Sequence, residues 1–119
     1  MPFDHEKLDV YTVALEFLVL ADGVVERMPR GRSHVADQLS RASLSIVLNI
    51  AEGAGKYSPG DKRRYYLSAS GSATECAAIL DVCGRLDLVD GSTHRSGKEL
   101  LDRVVAMLVV LAKKLQNGR

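Results

Sequence analysis

Arg41, Ser45, Asn49 and Glu52 stand four, four and three residues apart, the spacing that places side chains on one face of a helix. Ser68, Ser72 and Glu75 repeat the pattern further along. Two carboxylates, a guanidinium, an amide and three hydroxyls could support acid–base chemistry or a hydrogen-bonded network. Between the two groups lies "NIAEGAGKYSPGDKRRYY", residues 49–66, whose glycines before Lys56 look like a phosphate-binding loop. Such a loop requires a glycine, four residues, then Gly-Lys-Ser/Thr after a strand. Here Tyr57 follows Gly55-Lys56, Ile50 takes the place of the first glycine, and the upstream segment has helical periodicity. The magnesium-ligating hydroxyl, the first glycine and the strand are all missing. Gly53 and Gly55 are read instead as backbone positions that stop a helix.

Four helical segments must position these groups. Leu8, Tyr11, Leu15, Leu18 and Val25 mark a first helix over about residues 4–28, broken at "MPRGRS". Ser33 is a candidate N-cap for a second, over about 33–54, with Leu39, Ala42, Ile46 and Ile50 on one stripe. Ser58-Pro59 restarts the chain, serine as N-cap and proline where its missing N–H costs nothing. Asp61 in the first turn suits the helix dipole, and this third helix runs over about 58–88. "VDGSTHRSG" is read as a loop before a fourth helix over about 96–116. Short connections predict one all-α domain, residues 1–119, folded as an antiparallel up-down-up-down four-helix bundle. "VALEFLVLA" and "VVAMLVVLA", in the first and fourth helices, are apolar around much of their circumference. A surface helix needs one apolar stripe, so the surplus predicts contact with another copy of the chain.

Folding the second helix back on the third makes positions summing to about 117 face each other. Arg41 then meets Glu75 or Cys76, Ser45 meets Ser72, Asn49 meets Ser68, and Glu52 lies near Arg64 or Tyr65. The expectation is a polar seam closed by an Arg41–Glu75 ion pair, with the small residues of "SASGSATECAA" allowing close approach. A seam of this kind fixes register and partner choice at some cost in stability. The competing reading, an active site with Glu52 or Glu75 as acid or base, has less behind it. His5, His34 and His94 fall near helix ends or in the expected loop, and the Glu-x-x-His pairs of di-iron bundles are absent. No metal, cofactor or catalytic residue is therefore expected.

Composition narrows the classes further. With 46% apolar and 26% charged residues the chain reads as a soluble globular domain, and 5% aromatics with no Trp leaves the core to aliphatic side chains. A net charge of +1 gives no global attraction to nucleic acid. A local patch remains: Lys56, Lys62, Arg63 and Arg64 at the turn between the second and third helices, joined in a bundle by Lys113, Lys114 and Arg119. Tyr57, Tyr65 and Tyr66 beside them could stack on bases, while Asp4, Glu6 and Asp9 oppose the patch. Cys76 and Cys83, seven residues apart on one helix, sit roughly 10 Å apart along its axis. That is too far for a mutual disulfide, and they read as buried apolar residues of a reducing compartment. The acidic "MPFDHEKLD" start lacks the features of a signal peptide. The apolar run Val104–Ala112 is too short to span a bilayer. A cytoplasmic location is expected.

"QLSRASLSIVLNIAEGAGKYSPGDKRRYYLSASGSATECAAIL", residues 38–80, resembles the four-helix bundle proteins of intervening sequences in bacterial 23S ribosomal RNA genes. Arg41-Ala42, Ser45, "NIAEG" at 49–53, Gly71-Ser72 and Glu75 carry the match; Val47 replaces a proline frequent in relatives. The resemblance implies a cytoplasmic bundle that assembles into a ring-like homo-oligomer, a pentamer, and no established activity. Similar bundles are accessory proteins to reverse transcriptases of diversity-generating retroelements, where a strongly basic barrel contacts nucleic acid. This nearly neutral chain departs from that pattern. The expected function is a non-enzymatic oligomeric scaffold that docks a partner protein, with an RNA- or DNA-binding adaptor as the alternative.

Overall fold

The computed structural model of the chain describes residues 3–117. A 3-10 turn, Asp4–Lys7, precedes helix α1, Asp9–Glu26; a second such turn, Arg30–Arg32, leads into α2, Ser33–Ala54. Helices α3, Pro59–Arg85, and α4, Gly91–Asn117, complete the fold, and there is no strand among the described residues. The class is all-α. Helix α1 packs on α2, α2 on α3, α3 on α4, and α4 returns to α1, closing a four-membered cycle.

Local chemistry explains most of the boundaries, including those the sequence reading misplaced. The first helix does not start at residue 4, because Leu8 is extended (φ −92°, ψ 125°) and separates the 3-10 turn from α1. That turn is held by Glu6, whose carboxylate accepts the Phe3 N–H at 3.2 Å while the Glu6 N–H returns to the Phe3 carbonyl. The His5 ring stacks on Phe3 and meets Tyr11 edge-on. Ser33 is the first residue of α2, not its cap; Arg32 occupies the cap position and no side chain closes it. Ser58 does cap α3, its Oγ accepting the Asp61 N–H at 3.1 Å, with Pro59 directly after.

Helix α3 ends at Arg85, three residues earlier than expected. The Leu88 N–H reaches the Cys83 carbonyl at 2.8 Å and the Asp87 N–H reaches Gly84, a Schellman closure. Asp87 takes the left-handed position usually given to glycine, with φ 56°. The expected loop "VDGSTHRSG" is mostly helix, since α4 begins at Gly91. Gly91, Ser92 and Thr93 have weak helix propensity, but the Asp90 carboxylate accepts the Thr93 N–H at 2.6 Å and starts the helix regardless.

Every helix contributes to one core. Val13, Phe17 and Ala21 of α1, Leu39, Ile46 and Ile50 of α2, Ala69, Ala73, Cys76 and Leu80 of α3, and Leu101, Val104 and Leu108 of α4 are all buried. The small residues of α3 let its neighbours come close. Two glycines do the same on the facing helices. A Cβ on Gly97 would stand 2.6 Å from Leu80 Cδ1, and one on Gly53 would stand 2.9 Å from Tyr66 Cε1. Gly53 is thus a packing residue within α2 and does not end it.

Candidate functional site

The seam between α2 and α3 forms in part. The Ser45 and Ser72 hydroxyls meet at 2.8 Å across the two helices. Asn49 Nδ2 donates to the Ser45 carbonyl at 2.9 Å and to its Oγ at 3.0 Å. With one acceptor position of Ser45 Oγ filled by Asn49, its own hydroxyl proton is available to Ser72. The three residues are half-buried, where a satisfied network fixes helix register and an unsatisfied one is costly.

The other expected pairs do not form. Glu75 Oε2 accepts from Gln38 Nε2 at 2.6 Å, and the Arg41–Glu75 ion pair is absent among the described residues. Gln38 and Arg41 are three residues apart, hence rotated about 60° around the α2 axis. That rotation aims Gln38 at α3 and leaves Arg41 exposed. Asn49 turns along its own helix instead of reaching Ser68, which is exposed. Glu52 is also exposed and pairs with Lys56 at 3.5 Å, one turn on, not with Arg64 or Tyr65. Glu52 lines a groove of about 440 Å³ with Phe3, His5, Leu48 and Lys56, whereas Glu75 lies on the α2–α3 side. The two carboxylates are not brought together as an acid–base pair.

At the α2–α3 turn Lys56, Lys62 and Arg64 are engaged with their own chain. Lys62 Nζ donates to the Ala54 carbonyl at 2.7 Å and to Gly53 at 3.5 Å. It therefore satisfies the end of α2, where the dipole favours a cation. Lys56 and Arg64 lie over the Tyr65 ring, 5.1 and 4.9 Å from its centroid. Each also has a carboxylate, Lys56 with Glu52 and Arg64 with Asp61 at 3.4 Å. The Arg63 Nε is enclosed without a partner. Tyr66 belongs to the core, and burial, then the Asp4 carboxylate, pushes its hydroxyl pKa up. Tyr57 alone of the three tyrosines stands fully in solvent. Lys113 and Lys114 are exposed, and Arg119 lies outside the described residues.

A further cluster escaped the sequence reading. Asp81 on α3 accepts from Lys98 Nζ at 2.6 Å and pairs with His94 Nε2 at 2.9 Å. Lys98, then His94, holds the Asp81 carboxyl below its ordinary range. The His94 ring packs 3.3 Å from where a Gly84 Cβ would stand. His94 and Lys98 are one turn apart, a signal visible only once α4 is known to begin before them. The cluster pins the first turns of α4 to α3. Among the described residues no group of three or more His, Cys, Asp or Glu is arranged to hold a metal. Both cysteines are buried and unpaired with each other. Burial, then Glu75, pushes the Cys76 thiol up to about 12, and burial raises Cys83. Neither supplies a thiolate nucleophile at neutral pH.

The residues of the seam are also those that carry the sequence resemblance, and the comparison with known families bears it out. A family model described as 23S rRNA-intervening sequence protein matches residues 6–110. The chain belongs to this family. The match takes in α1, α2, α3 and most of α4, so the seam, the α2–α3 turn and the Asp81 cluster all lie within the family region. No curated protein matches the chain significantly. No helix among the described residues is long and apolar enough to cross a membrane.

Proposed function

We propose that this member of the family is a non-enzymatic scaffold of the cytoplasm, without cofactor, that assembles with copies of itself and docks a partner protein. Each subunit is an antiparallel up-down-up-down bundle, and the assembly is a ring, a pentamer by the family resemblance. The antiparallel course is supported by contact pairs that run in opposite senses: Ser45 with Ser72 and Gln38 with Glu75 between α2 and α3, and Asp81 with Lys98 and Gly84 with His94 between α3 and α4.

The observation that carries self-assembly is apolar exposure. Val19 on α1 is 73% exposed, with Leu15 one turn before it; Leu44 and Leu48 on α2 and Val109 and Val110 on α4 are also exposed. Isolated apolar residues on a surface are ordinary, but Leu15 with Val19 and Leu44 with Leu48, each one turn apart, and the adjacent Val109 and Val110 mark contact surfaces on three helices. The polar groups point the same way. Lys62 closes the end of α2, Ser45 and Ser72 fix register, and Glu52 and Asp81, which each line a groove, are paired with a neighbouring cation. Light scattering on the purified full chain tests this reading: a discrete multiple of the 12.9 kDa subunit supports it, and a monomer at all concentrations opposes it.

A second reading, an RNA- or DNA-binding adaptor, draws on one observation: Tyr57 is fully exposed beside Lys56, as a base-stacking residue would be. Engagement of Lys56, Lys62 and Arg64 with their own chain weakens it. Anisotropy of a labelled structured RNA, titrated from low to physiological salt, separates the two. Binding that persists at physiological salt favours the adaptor; binding confined to low salt favours the scaffold.

A further inference from the structure

The exposed apolar residues of α1 and α4 sit in fields of opposite charge. Helix α1 holds Asp9, Glu16, Asp22 and Glu26 and no Lys or Arg. Its exposed face runs Thr12, Leu15, Glu16, Val19, Asp22 and Glu26 at steps of three and four or directly flanking, one acidic ridge with Leu15 and Val19 at its centre. The second half of α4, residues 103–116, reverses the sign, with Arg103, Lys113 and Lys114 and no acidic residue. Its exposed stripe contains Arg103, Ala106, Val110, Lys113 and Lys114. Beside that stripe lies a groove of about 450 Å³ between α4 and the start of α1, walled by Leu8, Ala106, Met107, Val110 and Leu111, with Lys7 and Asp9 at its edge. None of Glu16, Asp22, Glu26, Arg103, Lys113 and Lys114 forms an ion pair among the described residues.

We infer that the α1 ridge of one copy docks on the α4 stripe and groove of the next, a head-to-tail contact between two different faces of the same chain. This rests on the self-assembly reading above and adds which surfaces meet. A two-fold contact through either face alone would set acid against acid or base against base, which is unfavourable once desolvated. Pairing the two faces brings opposite charges around an apolar centre, and a single chain carries both halves, so a second copy is the occupant. Val19 and Leu15 fill the groove beside Val110, and Glu16, Asp22 and Glu26 meet Arg103, Lys113 and Lys114. A contact between unlike faces leaves one of each free on every pair, so association continues until the rotation closes a ring or runs on as a filament.

Charge reversal tests the contact. One variant carries Glu16→Lys, Asp22→Lys and Glu26→Lys; a second carries Arg103→Glu, Lys113→Glu and Lys114→Glu; a third carries all six. Sedimentation equilibrium gives the mass of each, and far-UV circular dichroism its helix content. The expected result is a wild-type oligomer, monomers for each single-face variant, and return of the wild-type mass in the six-fold variant. Val19→Arg, at an exposed position with no role in the core, should also give monomers. A wild-type oligomer whose mass survives either single-face reversal, or a helical six-fold variant that stays monomeric, overturns the α1-to-α4 contact while leaving self-assembly standing. A monomeric wild type overturns both.

Discussion

The Gly53 backbone lies so close to the buried Tyr66 ring that a Cβ at 53 would stand 2.9 Å from Cε1 and 3.0 Å from Tyr65 Cβ. This approach sets the spacing of α2 and α3 at their shared turn. Alanine at 53 gains roughly 1 kcal/mol of helix propensity but overpacks a site faced by the buried Tyr66 ring, at about 1–3 kcal/mol. Gly53→Ala should therefore lower the urea midpoint of unfolding, against the ordinary trend for glycine within a helix.

Ser45 and Ser72 share one bond across α2 and α3, and their mutants should not be additive. Each change to alanine should cost about 1 kcal/mol, by loss of the bond and by leaving a half-buried partner unpaired. The double variant should cost less than the two singles together, giving a coupling of roughly 0.5–1.5 kcal/mol. Additive costs from denaturant unfolding would show that the two hydroxyls are stabilised separately.

Asp87 occupies a left-handed position, φ 56°, at the end of α3. Glycine there relieves a strain of about 1 kcal/mol without disturbing the Leu88-to-Cys83 bond, which is a backbone contact. Asp87→Gly should raise the melting temperature, and Asp87→Val, β-branched and less tolerant of positive φ, should lower it.

Stability should fall on the acid side through Asp81. Lys98 and His94 hold its folded pKa below the ordinary value, so the unfolded chain binds the proton more readily. The stabilisation is complete above an unfolded aspartate pKa of about 3.9. It is lost as the pH falls through the lower folded value. Asp81→Asn should flatten the melting-temperature profile below about pH 4 and lower stability at neutral pH. An unchanged acid limb would show that Asp81 carries none of the acid sensitivity.

Where local chemistry decides, the sequence was readable. Ser58-Pro59 started α3 as expected because a hydroxyl cap and an N-terminal proline act within one turn. The Ser45–Ser72 pair followed from register alone, since both residues sit on the seam-facing side. Arg41 illustrates the limit: a 60° rotation about one helix separates a partner of α3 from a solvated side chain, and register does not report it. Lys62 turned back to the end of α2 because four orphan carbonyls draw a cation, an attraction that composition cannot distinguish from a basic patch. The start of α4 was hidden because Gly91, Ser92 and Thr93 are weak helix formers. The Asp90 cap and the contacts of His94 and Lys98 with Asp81 outweigh them only in the folded chain. The Asp81 cluster then went unseen with it.

Sedimentation velocity of the wild-type full chain across a wide concentration range reads its self-assembly without labels or substitutions. A self-assembling scaffold gives one boundary at a fixed multiple of the 12.9 kDa subunit mass, persisting to low concentration. A single boundary at the subunit mass throughout would contradict it.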